Sequence, residues 1–224
     1  MMRPDLIRAE FHCHTVYSHD SSNRIPQLLQ AAAARGIQRL AITDHNTIQG
    51  ALRAKELDPV RVLVGEEILT ARGELLGYFM EEEVPRGLSP LETIARLKAQ
   101  GAFIAVPHVF DQRRHGWRME DLEEILPQVD ALEVFNARCL SPRINRQGRA
   151  FAEQRGYPMI AGSDAHSVVE LGLASVWLPD FNSADELRDA LGHARIEGRL
   201  LSPLDHFKAS ALIAAGRINP FRKR

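Results

Sequence analysis

The chain has 224 residues, with 45% hydrophobic and 25% charged side chains and a net charge of −1 from 28 basic and 29 acidic groups. That balance excludes a disordered chain, and it provides no global field to recruit a long polyanion or an anionic membrane. Cys13 and Cys139 are the only cysteines, which excludes a disulfide framework and a four-cysteine zinc module. One domain is expected at this length. The start, MMRPDLIRAE, has no apolar signal core, and no run of about 18 apolar residues occurs, so a soluble, cytoplasmic protein is expected. Nine histidines stand out, and 24 of the basic residues are arginines. Arginine suits bidentate recognition of phosphate or carboxylate, although codon bias in a GC-rich genome also explains the excess.

Short apolar runs alternate with amphipathic stretches along the chain. Residues 6–11 read as a strand that stops at His12, and 26–35 as a helix opened by Pro26 and stopped by Gly36. A strand over 37–43 ends at Asp44 and His45, and a helix follows over 47–57. Residues 60–68 form a strand closing near Glu66 and Glu67; Arg72-Gly73 reads as a hairpin turn with a return over 74–80. Ser89, Pro90 and Glu92 mark the start of a helix over 89–100. Then come a strand over 103–106 ending at Pro107-His108, a helix over 119–126, a strand over 130–135 and a helix over 143–155 stopped by Gly156. A strand over 158–161 runs into Gly162-Ser163-Asp164, with a strand over 175–178 and a helix over 183–191 beyond. Strand–helix repetition with short loops predicts an α/β fold with a parallel sheet, open or closed into a barrel. From 204 a small basic extension is expected, helical or frayed, with Arg217, Arg222, Lys223 and Arg224 solvated.

The histidines and carboxylates sit where apolar runs stop: His12 and His14 after the first, Asp44-His45 after the second, Glu67 at the third, His108 after the fourth, and Asp164 with His166 after residues 159–162. In parallel α/β folds, sites form at the carboxyl ends of strands, so these groups should converge on one face. Each pair alone is weak; His-x-His arises roughly 0.4 times by chance in such a composition. Four strand ends with a histidine and a fifth with a glutamate are a different matter, because independent accidents multiply. Imidazole and carboxylate without thiolate suit zinc, manganese or iron. Alternate residues on a strand end share a face, so His12 and His14 would point together.

With His12-x-His14-Thr15, Ser18-His19-Asp20, Thr43-Asp44-His45-Asn46-Thr47, Gly65-Glu66-Glu67-Ile68, Pro107-His108 and Gly162-Ser163-Asp164-Ala165-His166 in this order, the chain resembles the PHP (polymerase and histidinol phosphatase) superfamily. The resemblance implies a distorted (β/α)7 TIM-like barrel over 1–203 as a single domain, two to three divalent metal ions (Mn, Zn or Fe), and hydrolysis of a phosphate ester. It implies that His12, His14, Glu67 and Asp164 hold one ion, Asp20, His45 and His166 another, and Glu67 with His108 a third. Glu74 stands where relatives carry a histidine, in Glu74-Leu75-Leu76-Gly77, and as a carboxylate it can still ligate. Asp20 is preferred to its neighbour His19 as the ligand of its motif. His45, Glu67, Asp164 and His166 are the expected catalytic group.

Arg113, Arg114, Arg138 and Arg143 follow strand ends and are candidates to hold the phosphate. Residues 133–138 resemble a stretch that faces the cleft. Ser163 lacks nucleophile-elbow spacing, so no phospho-enzyme is expected. Cys13 is expected to pack inward under the site; His115, His193 and His206 are read as surface residues. The expected reaction is attack by a metal-activated hydroxide on a small phosphomonoester, nucleotide or short oligonucleotide. Nucleic acid is expected only as a short substrate, and no membrane partner is expected. The alternatives are a catalytically degenerate PHP module that binds metal or a protein partner, and an amidohydrolase-type metal hydrolase; Lys55 and Lys98 fall in predicted helices, which disfavours the latter.

Overall fold

A computed structural model describes residues 6–218. Strands β1 (Leu6–Glu10), β2 (Arg39–Ile42) and β3 (Val62–Leu69) pair in parallel. Strand β4 (Glu74–Tyr78) returns antiparallel to β3 and pairs antiparallel with β5 (Phe103–Val106). Strands β6 (Ala131–Asn136) and β7 (Met159–Gly162) continue in parallel. On the other edge, β8 (Ala174–Pro179) lies antiparallel to β1, and β9 (Arg195–Gly198) antiparallel to β8.

The sheet curls until its seventh strand meets its first. A parallel bridge joins Cys13 to Ala165, with His14 N donating to Ala165 O at 3.0 Å and Asp164 N to His12 O at 2.7 Å. This contact lies past the ends of β1 and β7; lower down, β1 pairs with β8 instead. The result is a nearly closed barrel in a mixed α/β chain; the resemblance implied the barrel, and β4, β8 and β9 make the sheet mixed where the alternation of elements predicts a parallel one.

Helices α1 (Ile25–Ala34), α2 (Gln49–Leu57), α3 (Pro90–Ala99), α4 (Met119–Ile125) and α5 (Pro142–Arg155) cover the outside. Their ends follow from the sequence. Ser89 Oγ accepts from Glu92 N at 3.2 Å with Pro90 in the first turn, so α3 starts where its capping pattern places it. Gly156 adopts φ 68° past the end of α5, a left-handed cap that L side chains resist. Ile25, Leu28 and Ala32 of α1 are buried against Leu40, Ile42 and Val62 of the sheet.

A separate apolar cluster takes Ala9, Ala41, Leu63, Leu76, Phe103, Ala131 and Ala161, one or more from each of β1 to β7, and nothing from α1 to α5. That pattern is the barrel interior. Helix α6 (Ala184–Ala190) closes its base. Leu187 joins the interior cluster, and Arg188 reaches Ala102 O just before β5 and Asp130 just before β6.

One element differs from the sequence reading: strand β9, whose residues Arg195–Gly198 are largely exposed and lack an apolar alternation. The extension from 204 forms, over its described part, helix α7 (Pro203–Ile218), the helical of the two expected states. Arg222, Lys223 and Arg224 lie outside the described residues. Glu67 also sits within β3 rather than at its end, since that strand continues to Leu69.

Candidate metal centre

Past β1 the alternation of the extended backbone continues, so His12 and His14 share a side. Cys13 faces the other way, among Ile25 and Leu28 of the helix layer, with Sγ 3.4 Å from Ala41 O; it does not pack under the site as expected. The following loop is held by Asp44. Its carboxylate accepts from Thr15 N (2.7 Å), Thr15 Oγ1 (2.6 Å), Ser18 N (3.1 Å) and Ser18 Oγ (2.6 Å). Burial raises the Asp44 pKa, and the Ser18 and Thr15 bonds oppose that rise. The loop brings Asp20 back over the barrel, where Oδ2 lies 3.2 Å from His166 Nε2 and 3.5 Å from His45 Nε2. Burial opposes ionisation of Asp20, but the bonds to His166 and His45 outweigh it and hold the carboxyl far below its usual range. His19, the rival in that motif, has an 82% exposed side chain.

Glu67 is the centre of the cluster. Oε1 lies 3.3 Å from His12 Nε2 and 3.1 Å from His108 Nε2; Oε2 lies 2.9 Å from His45 Nδ1 and 3.4 Å from His14 Nε2. Its burial is outweighed by His12 and His45, and its pKa falls well below the carboxylate range. The same pairs act in reverse on the imidazoles. Burial disfavours charge on His12, yet Glu67 and Glu133 lift its pKa to about 10. His45 is likewise lifted to about 10 against its burial, by Glu67 and Asp20.

Glu74 reaches the same face for a topological reason. Strand β4 is antiparallel, so its first residue lies beside the carboxyl-terminal end of β3, with Leu69 opposite Glu74. Its Oε2 is 3.5 Å from His108 Nε2. Burial first, then the Glu67 charge, push the Glu74 carboxyl up to about 8.

Asp164 and His108 occupy left-handed backbone, at φ 54° and 29°. Such strain in non-glycine residues is held only where the surroundings fix it. Asp164 Oδ1 lies 3.2 Å from His14 Nε2, 3.3 Å from His166 Nδ1 and 3.8 Å from His12 Nε2, while Oδ2 accepts from Asn136 Nδ2 at 3.0 Å and pairs with Arg114. His166 lies against Arg138, and burial followed by that positive charge lowers its pKa to about 4.

Three sets of ligand atoms lie within 4.8 Å of one another: His12, His14 and Asp164; His14, His45 and His166; and His45, Glu67 and Glu74. His12 Nε2, His14 Nε2 and Asp164 Oδ1 are buried without a hydrogen-bond partner. An unsatisfied buried polar atom costs about 1–3 kcal/mol, so three beside one another point to a ligand they share. Nitrogen and oxygen donors without thiolate fit zinc, manganese or iron. The residues therefore fit the metal ions that their pattern implies.

A cleft of about 740 Å³ opens over the cluster. Of the four candidate arginines, Arg114 and Arg138 line it; Arg113 and Arg143 are exposed and do not. His115, read as a surface residue, is exposed but lines the cleft, as do Tyr17, Arg86 and Leu140.

A layer of supporting groups lies behind the ligand candidates. Glu133 Oε1 is 3.0 Å from His12 Nδ1, and its Oε2 accepts from His108 N at 2.7 Å. Glu170 accepts from His166 N at 2.9 Å and Ser167 N at 2.7 Å, and pairs with Arg138 at 3.2 Å. The resemblance had marked the segment holding Glu133 and Asn136 without singling either out. Asp44 was visible beside His45 but had no role, and Glu170 belongs to no motif.

A barrel with buried histidines and carboxylates gathered at the carboxyl ends of its strands makes a site that could hold metal ions. Two family models match the chain, a PHP domain over residues 10–88 and a PHP-associated segment over 142–196. The chain belongs to the PHP family. A Methanocaldococcus jannaschii protein of uncharacterised function is 39% identical over 146 residues, covering 58% of this chain and 82% of its own. The phosphoribosyl 1,2-cyclic phosphate 1,2-diphosphodiesterase of Eggerthella lenta is 38% identical over 147 residues, 58% of this chain and 50% of that one. Among solved structures, a two-domain Bacteroides vulgatus protein containing a predicted PHP-like metal-dependent phosphoesterase superposes with a TM-score of 0.72 at 17% identity, over 94% of this chain and 72% of that one. No helix among the described residues is long and apolar enough to cross a membrane.

Proposed function

We propose that the chain hydrolyses a phosphate ester in this cleft: a small phosphomonoester, a nucleotide or a short oligonucleotide. The observation that carries the reading is the meeting of His12, His14, Asp20, His45, Glu67, Glu74, His108, Asp164 and His166 from six segments at the floor of one cleft. Kinship to phosphoesterases of the PHP family supports it.

When bound, two to three divalent cations (Mn, Zn or Fe) would supply an acidified water and neutralise charge on the phosphate oxygens. His12, His14 and Asp164 would hold one, Asp20, His45 and His166 another, and Glu74 and His108 a third, with Glu67 shared. Glu67 presents both oxygens to four imidazoles and fixes their mutual spacing. Glu133 orients His12 through Nδ1, leaving Nε2 toward the cluster. Arg114 and Arg138 stand at the cleft wall, where a guanidinium fork matches phosphate oxygens. Ser163 is fully buried and does not line the cleft, which argues against a covalent intermediate on it.

The test is a hydrolysis panel on protein loaded with Mn, Zn or Fe(II), using an aryl phosphate, nucleoside mono- and bisphosphates, histidinol phosphate and short oligonucleotides. Turnover that disappears in His12→Ala and Asp164→Ala is the expected result. Unchanged hydrolysis in those variants at matched metal load would contradict the proposal.

A further inference from the structure

Helix α7 departs from the rest of the outer layer. It begins just after β9, which runs in the same direction as β1 and so ends toward the mouth of the barrel. Leu201 N donates to Ala137 O at 2.8 Å and fastens the start of the helix to the loop that carries Arg138 and Leu140 into the cleft wall. Ala209 is buried and Ile213 half-buried; these positions, one turn apart, mark the inner side of α7. Asp205 is turned back on the chain, with Oδ2 accepting from Ser202 Oγ at 2.8 Å and from Arg199 Nη1 at 3.2 Å.

The opposite side is apolar. Leu204, Phe207, Ala211 and Ala214 are all exposed. Their spacing of three, four and three residues keeps them in one line on a helix, away from Ala209 and Ile213. Phe207 is 74% exposed and Leu204 61%, so the bulkiest side chains of the line are uncovered. Helix α3 shows the usual arrangement, with Glu92, Arg96 and Lys98 turned outward. The α7 line itself carries no charge, and it is graded: bulk at Leu204 and Phe207, single methyl groups at Ala211 and Ala214. Turned end for end, such a line fits itself. Phe207 of each copy then meets Ala214 of the other, and the two Ala211 side chains meet near the two-fold axis, where their size lets the backbones approach. The same arrangement sets the positive amino end of one helix beside the negative carboxyl end of the other. A lipid surface has no fixed holes for bulky side chains to fill, so the grading favours a helix as the partner.

We propose that the outer face of α7 is a dimerisation surface whose occupant is α7 of a second copy of this chain, packed antiparallel about a two-fold axis. One helix face on each side buries less than the ~1,200 Å² of a permanent interface, so the association is weak and concentration-dependent, with a Kd of about 10 μM or above. This inference makes no use of the phosphoesterase reading, and the failure of either leaves the other standing.

The experiment is analytical ultracentrifugation of the full chain over roughly 1–200 μM, where a monomer–dimer transition is expected. Phe207→Asp should weaken the dimer at least about tenfold, because it sets a charge against the partner's Ala214. Its thermal unfolding as a dilute monomer should match the wild type, since the side chain is exposed. Ala214→Leu should weaken the dimer as well, because it fills the space that the partner's Phe207 takes. A short bismaleimide should join Ala211→Cys into a covalent dimer, while Cys13 and Cys139, both buried, stay unreacted. A wild-type chain that is monomeric across the range, or a dimer undiminished in Phe207→Asp, would overturn the proposal. Vesicles of phosphatidylserine and phosphatidylcholine test the other occupant. Ala214→Leu adds apolar surface, so tighter vesicle binding by that variant than by a monomeric wild-type chain would assign the face to lipid and overturn the second copy.

Discussion

The two ends of the barrel are made by the same strands and differ in almost everything else. At the base, Phe181 and Leu187 plug the interior with Phe103 and Tyr78, and Phe11 stacks on Phe181 at a centroid distance of 6.0 Å. At the mouth, within β3 and a few residues past β1, β2, β5 and β7, the interior is filled by His12, His14, Asp44, Glu67, His108 and Asp164, all buried. Burying charged groups is costly unless they are paired, and His12 Nε2, His14 Nε2 and Asp164 Oδ1 at the mouth find no hydrogen bond. The apolar base stabilises the fold; the mouth draws on that stability and leaves polar atoms that a cation could satisfy. Destabilising changes at the base should therefore leave chemistry intact, and changes at the mouth should do the reverse.

The largest expected effect separates the two ends outright. Asp164→Asn should reduce turnover about a thousandfold, equivalent to ~4 kcal/mol of lost transition-state stabilisation, with a smaller loss of folding stability without metal than a core truncation. Phe181→Ala should destabilise the chain by about 3–5 kcal/mol in denaturant unfolding, with turnover per folded molecule unchanged. A variant at either end that failed in both respects would break the comparison.

Metal dependence sharpens it. Mn(II) at a hundred times its dissociation constant should stabilise the wild-type chain by about 2.7 kcal/mol per independent site, and Asp164→Ala by much less. Chelation should reverse the gain and abolish hydrolysis together. Glu133→Gln should weaken metal binding about 10–100-fold, because His12 loses the carboxylate that orients it, while saturating metal should restore most of the rate. The smallest change is on the outer layer. Ser89→Ala should cost about 1 kcal/mol through its lost cap and leave metal affinity untouched.

Much of this division was legible in the sequence. Apolar runs that stop abruptly at His12, His45, His108 and Asp164 are strands, and the structure brings the residues at their ends into one cluster around Glu67. Glu74 was reached only through the resemblance; the hairpin explains its position, because an antiparallel return places its first residue at the mouth. Asp20 could be preferred to His19 only through the motif; its approach to His45 and His166 depends on how Asp44 folds the intervening loop. Arg114 and Arg113 could not be told apart, since adjacent loop residues point in directions that no local pattern encodes. Arg143 follows a strand but lies in the first turn of α5, where its side chain is exposed. Glu170 was invisible because its role is a set of contacts to the backbone of His166 and Ser167, and such contacts leave no spacing to read. Strand β9 escaped for a related reason: it is exposed, so burial imposes no alternation on its sequence.

The most direct test of the central claim is to measure metal content and hydrolysis on the same samples of the wild-type chain and of His12→Ala and Asp164→Ala. The account predicts two to three divalent ions per wild-type chain, hydrolysis of a phosphate ester that rises with their occupancy, and loss of both in the two variants. A wild-type chain that binds no divalent metal, or one that hydrolyses esters equally well with its cluster disabled, would contradict it.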